Sequence, residues 1–147
     1  MKFPRVKSFR SGSVDETLEY AATVAGILSP PKLVILSGEV GAGKTTLVKG
    51  VTAALHAASE EDVNSPTFTL LHEYVGPAVK LYHLDLYRIE TEQQLAVLGI
   101  DEMAAEPDAL VMIEWGERFP SIVSRADAEI VMEHGENDQR FIQIRWR

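Results

Sequence analysis

A continuous apolar run, Leu33-Val34-Ile35-Leu36, leads almost directly into Gly38-Glu39-Val40-Gly41-Ala42-Gly43-Lys44-Thr45. Apolar runs of this length without alternation suit a strand buried on both faces, as in a parallel sheet. The second stretch fits G-x-x-x-x-G-K-[ST], a turn whose glycines let backbone amides converge on an anion. Lys44 reaches the β- and γ-phosphates of a nucleotide, and the Thr45 hydroxyl suits Mg²⁺. A helix is expected to follow, with Leu47, Val48, Val51 and Leu55 on one face, its N-terminal dipole adding positive character. Strand, phosphate turn and helix in that order point to an α/β P-loop NTPase.

The rest of the chain reads consistently with that start. Its 147 residues fit a single domain, 1–147. Phe3–Phe9 reads as a short extended segment. Ser13-Val14-Asp15-Glu16 reads as a capping box opening a helix over 14–28, with Val14, Leu18, Ala22, Ala25 and Leu28 inward, stopped by Pro30-Pro31. Segments 68–75 and 78–84 read as strands around a Gly76-Pro77 turn, and 91–98 as a short helix. Leu110-Val111-Met112-Ile113 is a second buried strand. Segments 128–133 and 140–146 alternate and read as a closing antiparallel hairpin, with Ile142, Ile144 and Trp146 on one face. The expected architecture is a mixed, mainly parallel sheet flanked by helices, ending in that hairpin.

Composition narrows the function. A net charge of −8 disfavours a free-standing nucleic-acid binder. The basic residues look scattered along the sequence, apart from Arg140, Arg145 and Arg147, which read as solvating the last strand. With no cysteine, disulfides and thiolate metal sites are excluded. No membrane-length apolar run and no secretory signal are visible, so a cytoplasmic protein is expected.

A P-loop protein needs an acid near Mg²⁺ at the end of an apolar strand. Asp85 after Leu81-Tyr82-His83-Leu84 and Glu114 after Leu110–Ile113 both qualify, and the second strand is the more purely apolar. His83 shares a strand face with Asp85 and reads as a structural neighbour of the site. Trp115 reads as core or as a cover over the site, and Arg88 as a phosphate ligand or an ion-pair partner. Ser65-Pro66-Thr67 carries hydroxyls in a loop of the kind that senses a γ-phosphate. No Asn-Lys-x-Asp guanine-reading motif occurs, which argues against a GTPase. No Arg-rich lid is evident for a small-molecule kinase, which stays as the alternative. A nucleotide-binding regulator without useful hydrolysis is not separable from a slow ATPase by sequence.

Gly38–Thr46, Ser65-Pro66-Thr67-Phe68, His83-x-Asp85-x-Tyr87-Arg88, Gly99-Ile100 and Ile113-Glu114-Trp115 together resemble the TsaE (YjeE) family of small P-loop ATPases. The resemblance implies ATP and Mg²⁺ as cofactors and a role in threonylcarbamoyl modification of adenosine in tRNA. It implies partners TsaB and TsaD, whose turnover the ATPase supports, with tRNA engaged only indirectly through that complex. It implies nucleotide contacts from Glu39, Val40, Gly41, Ala42, Gly43, Lys44, Thr45 and Thr46, with the segment around Gly12 and Ser13 near the base. Thr45 and Glu114 are the implied Mg²⁺ ligands, and Lys44, Asp85 and Glu114 the implied catalytic set. After Trp115 the chain reads Gly116-Glu117-Arg118 where many members carry a proline, so no function is assigned to Glu117 or Arg118.

Overall fold

The two continuous apolar runs lie side by side at the centre of one sheet. The computed structural model describes residues 2–30, 32–39, 43–57 and 71–147. The chain runs β1 (Arg5–Ser11), α1 (Val14–Ile27), β2 (Lys32–Gly38), α2 (Lys44–Ala54), β3 (Leu71–Val75) and β4 (Lys80–Asp85). It continues through α3 (Glu92–Ala96), α4 (Ile100–Ala105), β5 (Ala109–Glu114), α5 (Pro120–Arg125), β6 (Ala128–His134) and β7 (Arg140–Trp146). A turn of 3₁₀ helix, Gly116–Arg118, separates β5 from α5.

The seven strands order as β1-β7-β6-β2-β5-β4-β3. The pairs of β2 with β5, β2 with β6, and β4 with β5 are parallel. The pairs of β1 with β7, β6 with β7, and β3 with β4 are antiparallel. All six residues of β5 are buried, as expected of a parallel strand covered on both faces. α1 and α2 pack on one face, around Val24, Leu28, Leu47 and Val51 against Val34, Leu36, Leu110 and Met112. α3, α4 and α5 cover the other face through Leu95, Ile100 and Ile122 against Leu33, Ile35, Val111 and Ile113. The mixed sheet, the flanking helices and the closing hairpin agree with the sequence reading.

The inward face of α1 differs from that reading. Ala25 and Leu28 are buried as expected and Leu18 is half-buried, but Val14 is 60% exposed and Ala22 is exposed, and Thr17, Ala21 and Val24 are buried in addition. Two contacts fix the rotation. Thr17 Oγ1 meets Ser11 Oγ at 2.7 Å, and Ala21 faces Gly50 of α2 so closely that a Cβ on Gly50 would lie 2.4 Å from the Ala21 Cβ. The Ser13 cap is as expected: its Oγ accepts from the Glu16 amide at 3.1 Å. β3 is described from Leu71 onward, so residues 68–70 of the expected strand, and the Ser65-Pro66-Thr67 loop, lie outside the described residues.

Among the described residues no helix is long and apolar enough to cross a membrane. The basic residues are less scattered than they look in sequence. The β1–β7 ladder sets Val6 opposite Arg145 and Ser11 opposite Arg140, so residues near the two ends of the chain share one ribbon.

Candidate functional site

β2 ends at Gly38, and α2 begins at Lys44. Val40, Gly41 and Ala42 lie outside the described residues, while Glu39 is exposed and Thr45 and Thr46 are half-buried in the first turn of α2. Gly43 caps α2 with φ +96°. That left-handed conformation suits glycine, and a Cβ here would also lie 3.3 Å from Met132 Cε and 3.5 Å from Arg140 Nε. The free amides of the first turn of α2 follow directly on this glycine, and they are the groups that favour an anion at a helix N-terminus.

Lys44 is bent over this opening. Its Nζ donates to the Gly38 carbonyl at 2.6 Å and pairs with Glu114 Oε1 at 3.3 Å. It also lies 5.7 Å from the Trp115 ring centroid. The other Glu114 oxygen, Oε2, accepts from His83 Nε2 at 2.7 Å. A carboxylate has no hydrogen to give, so Nε2 carries the proton. His83 is wholly buried, and its Nδ1 has no partner among the described residues. Burial pushes the Glu114 carboxyl toward its neutral form. The His83 hydrogen bond and charge attraction, reinforced by Lys44, outweigh that and hold it below the ordinary carboxylate range.

Asp85 stands opposite Glu114 in the β4–β5 ladder, so the two acids end neighbouring strands at the same level. Parallel pairing puts both at the carboxyl edge of the sheet, the edge from which β2 enters the phosphate turn. Asp85 is 9% exposed, and its Oδ1 accepts from the Tyr87 amide at 2.9 Å, which turns the chain sharply after β4. Both acids named from sequence thus reach the site, and His83 belongs to it through its bond to Glu114.

Two residues given no role by sequence also reach it. Arg118 donates to the carbonyls of Leu86, Tyr87 and Ile89 at 2.5, 2.9 and 3.1 Å. Its guanidinium lies 5.3 Å from the Trp115 ring centroid. It staples the segment after Asp85 to the turn after Glu114. Arg140 opens β7; its Nη1 donates to the Gln139 carbonyl at 2.9 Å, and its Nε would lie 3.5 Å from a Cβ on Gly43, so a residue expected to solvate the last strand also stands beside the start of α2. Neither follows from a local pattern; the position of Arg140 depends on the β6–β7 turn. Ser13 comes to the same end of the sheet, because β1 ends where β7 begins, with Ser11 opposite Arg140. Arg88 is exposed and makes no ion pair among the described residues.

Trp115 has φ +67°, a rare backbone region for a bulky side chain. Such strain is sustained where surrounding contacts over-determine it. Here Tyr87, 5.2 Å away between ring centroids, together with Arg118 and Lys44, fixes the indole beside the Lys44–Glu114 pair.

The available donors are a hydroxyl, Thr45, and two carboxylates, Asp85 and Glu114. These are hard oxygen groups of the kind that bind Mg²⁺ jointly with phosphates and water. Among the described residues there is no cluster of three or more His, Cys, Asp or Glu side chains able to form an all-protein cage. The donor set fits Mg²⁺ brought with a nucleotide, which also requires few protein ligands.

The sequence model of the family described as "Threonylcarbamoyl adenosine biosynthesis protein TsaE" matches residues 11–142. A Nostoc protein named tRNA threonylcarbamoyladenosine biosynthesis protein TsaE is 35% identical over 136 residues, 88% of this chain and 80% of its own. A Bacillus subtilis protein of the same name is 34% identical over 91% of this chain and 82% of its own. The crystal structure of Bacillus subtilis YdiB is similar at a TM-score of 0.72 and 27% identity, covering 97% of this chain and 86% of the other.

Proposed function

The chain belongs to the TsaE family, and from that premise we propose that it is a Mg²⁺-dependent ATPase of the cytoplasm. It serves threonylcarbamoyl modification of adenosine in tRNA by supporting turnover of a TsaB–TsaD complex. It engages tRNA only through that complex. The observation that carries the reading is the ion pair between Lys44 and Glu114, 3.3 Å apart where the phosphate turn meets the carboxyl edge of the sheet.

In this reading Lys44 holds the β- and γ-phosphates, leaving Gly38 and Glu114 for phosphate oxygens. The α2 amides and Arg140 add positive potential along the phosphates. Mg²⁺, when bound, neutralises charge on the phosphate oxygens as a Lewis acid. Thr45 and Glu114 hold it, directly or through water, while His83 fixes the rotation of the Glu114 carboxyl. Asp85 orients water or the Thr45 hydroxyl. Ser13 borders the base. In this reading water is the acceptor, and the nucleotide state is read by a protein partner. The ATP and ADP forms must then differ in partner affinity.

Phosphate release measured with and without TsaB–TsaD tests this. Weak basal activity, raised by the partner complex, is expected. Lys44→Ala loses ATP binding. Thr45→Ala and Glu114→Ala lose hydrolysis more than binding, and Asp85→Ala also slows turnover. Wild-type ATP affinity in Lys44→Ala, seen by calorimetry, would remove the reading. Normal hydrolysis in Glu114→Ala beside a dead Asp85→Ala would exchange the roles of the two acids.

A further inference from the structure

Residues 2–11 and 140–147 contain seven basic side chains and no acidic one, while the rest of the chain holds the other seven basic and all twenty-two acidic residues. Pairing of β1 with β7 gathers this charge on one edge of an otherwise acidic molecule. Arg5, Lys7, Arg10 and Arg145 are exposed, and none pairs with a carboxylate among the described residues. Two of the cations are steadied by aromatic rings instead. Lys7 Nζ lies 5.5 Å from the Phe9 centroid, and the Arg10 guanidinium 5.2 Å from that of Phe141. Val6, 51% exposed, lies between Arg5 and Lys7 along the strand.

β1 is also an edge strand, pairing only with β7 among the described residues. Its outer side offers unpaired backbone groups, a template for an added strand. Basic residues on an edge discourage pairing with a second copy, because like charges meet across the new ladder. They leave the edge open to a strand of opposite charge. Nucleic acid is the other polyanion to weigh. Glu129 and Glu133 of β6 share the face that carries Arg10 and Arg145. Two strand spacings put them about 10 Å from β1. That is close to the Debye length of about 8 Å at physiological salt, so an RNA helix lying across the ribbon meets their repulsion. An extended polypeptide one strand wide does not.

We propose that the outer edge of β1 is the docking site for an extended acidic segment of a protein partner, which pairs with β1 as an additional strand. This inference rests on the reading that the chain works through protein partners, and it names the chemistry of the contact. Backbone pairing supplies affinity, and Arg5, Lys7 and Arg10 supply selection for carboxylates.

The test uses the full chain and a synthetic peptide of about nine residues alternating Glu and Val, long enough to span β1. Amides of Arg5–Ser11 are expected to gain protection from hydrogen exchange on peptide addition, with affinity falling as salt rises. Arg5→Glu/Lys7→Glu/Arg10→Glu is expected to weaken binding roughly tenfold or more. The same variant is expected to gain affinity for a Lys-Val peptide and to keep wild-type ATP affinity, which reports an intact fold. Single Lys7→Glu gives a smaller loss in the same direction. No protection of β1, equal peptide affinity in the reversed variant, or preference for polyuridylate over the peptide through these residues would each overturn the proposal. Parallel assays with TsaB–TsaD separate the two readings. Peptide binding without any ATPase response to TsaB–TsaD overturns the partner assignment alone. A full ATPase response with β1 left unprotected by the peptide overturns the edge site alone.

Discussion

At the scale of single residues, Glu114 is the centre of the candidate site, and its surroundings fix its acid behaviour. The carboxyl is buried, and the bonds from His83 and Lys44 hold its folded value below the ordinary one. A depressed value means that the stabilisation is fully present above the unfolded carboxylate value and is lost as pH falls through the folded one. Urea unfolding of wild type and Glu114→Gln across that acid range should therefore converge: the wild-type advantage shrinks below the ordinary carboxylate range and is constant from there to neutrality. A gap that widens on acidification would contradict the arrangement. Lys44, Thr45, Asp85 and Glu114 were legible in the sequence because each sits in a motif with a fixed partner or at the end of an apolar strand. His83 was half legible: strand alternation put it on the face of Asp85, but its bond to Glu114 depends on two strands lying parallel in register. Arg118 was not legible, since its bonds run to carbonyls about thirty positions upstream with no sequence pattern to mark them.

At the scale of elements, α2 carries the phosphate turn, and what holds α2 is its contact with α1. Gly50 permits the two helices to approach within a distance that a methyl group would violate, with Ala21 Cβ at 2.4 Å and the Leu18 carbonyl oxygen at 3.2 Å from a built Cβ. Gly50→Ala gains about 1 kcal/mol in helix propensity. Overpacking against helix backbone costs about 1–3 kcal/mol, with little room to relax. Overpacking wins, so thermal denaturation should show a lower midpoint in Gly50→Ala, and Ala21→Gly in the same chain should recover part of it. An unchanged or raised midpoint would mean that the helices can separate freely. This contact also explains why helical periodicity, right for Ala25 and Leu28, misplaced the first half of the inward face of α1 at Val14 and Ala22. Val14, Leu18 and Ala22 are a plausible stripe by hydropathy alone. Thr17 and Ala21 go inward instead because a hydroxyl partner, Ser11, and a glycine, Gly50, wait for them. Small and polar residues that match a specific neighbour outrank a general apolar preference when the neighbour lies elsewhere in the chain.

At the scale of the molecule, the strand order joins what sequence order keeps apart. The hairpin of β6 and β7 was legible from alternation and its turn, and the parallel centre from its apolar runs. That β1 pairs with β7 was not, because no local pattern says which edge an isolated strand will join. Arg140 shows the functional side of that gap: the hairpin brings it from the far end of the chain to within contact of Gly43. Arg140→Ala should weaken ATP binding roughly tenfold, the scale of one charge-assisted hydrogen bond. Arg140→Lys should recover the salt dependence but not the full affinity. Calorimetry at two salt concentrations measures both, and wild-type affinity in Arg140→Ala would leave Arg140 a bystander.

The pairing of β1 with β7 also sets an order of assembly. Its partners stand roughly 130–140 positions apart, so closing that loop directly costs about 4 kcal/mol in chain entropy before any contact repays it. β7 must first reach β6 for the edge to exist, a short step across a tight turn. α1, once packed on α2, shortens the remaining search to the joint at Gly12 and Ser13. β1 then settles last and lets go first, while β2 and α2 pack before it and outlast it.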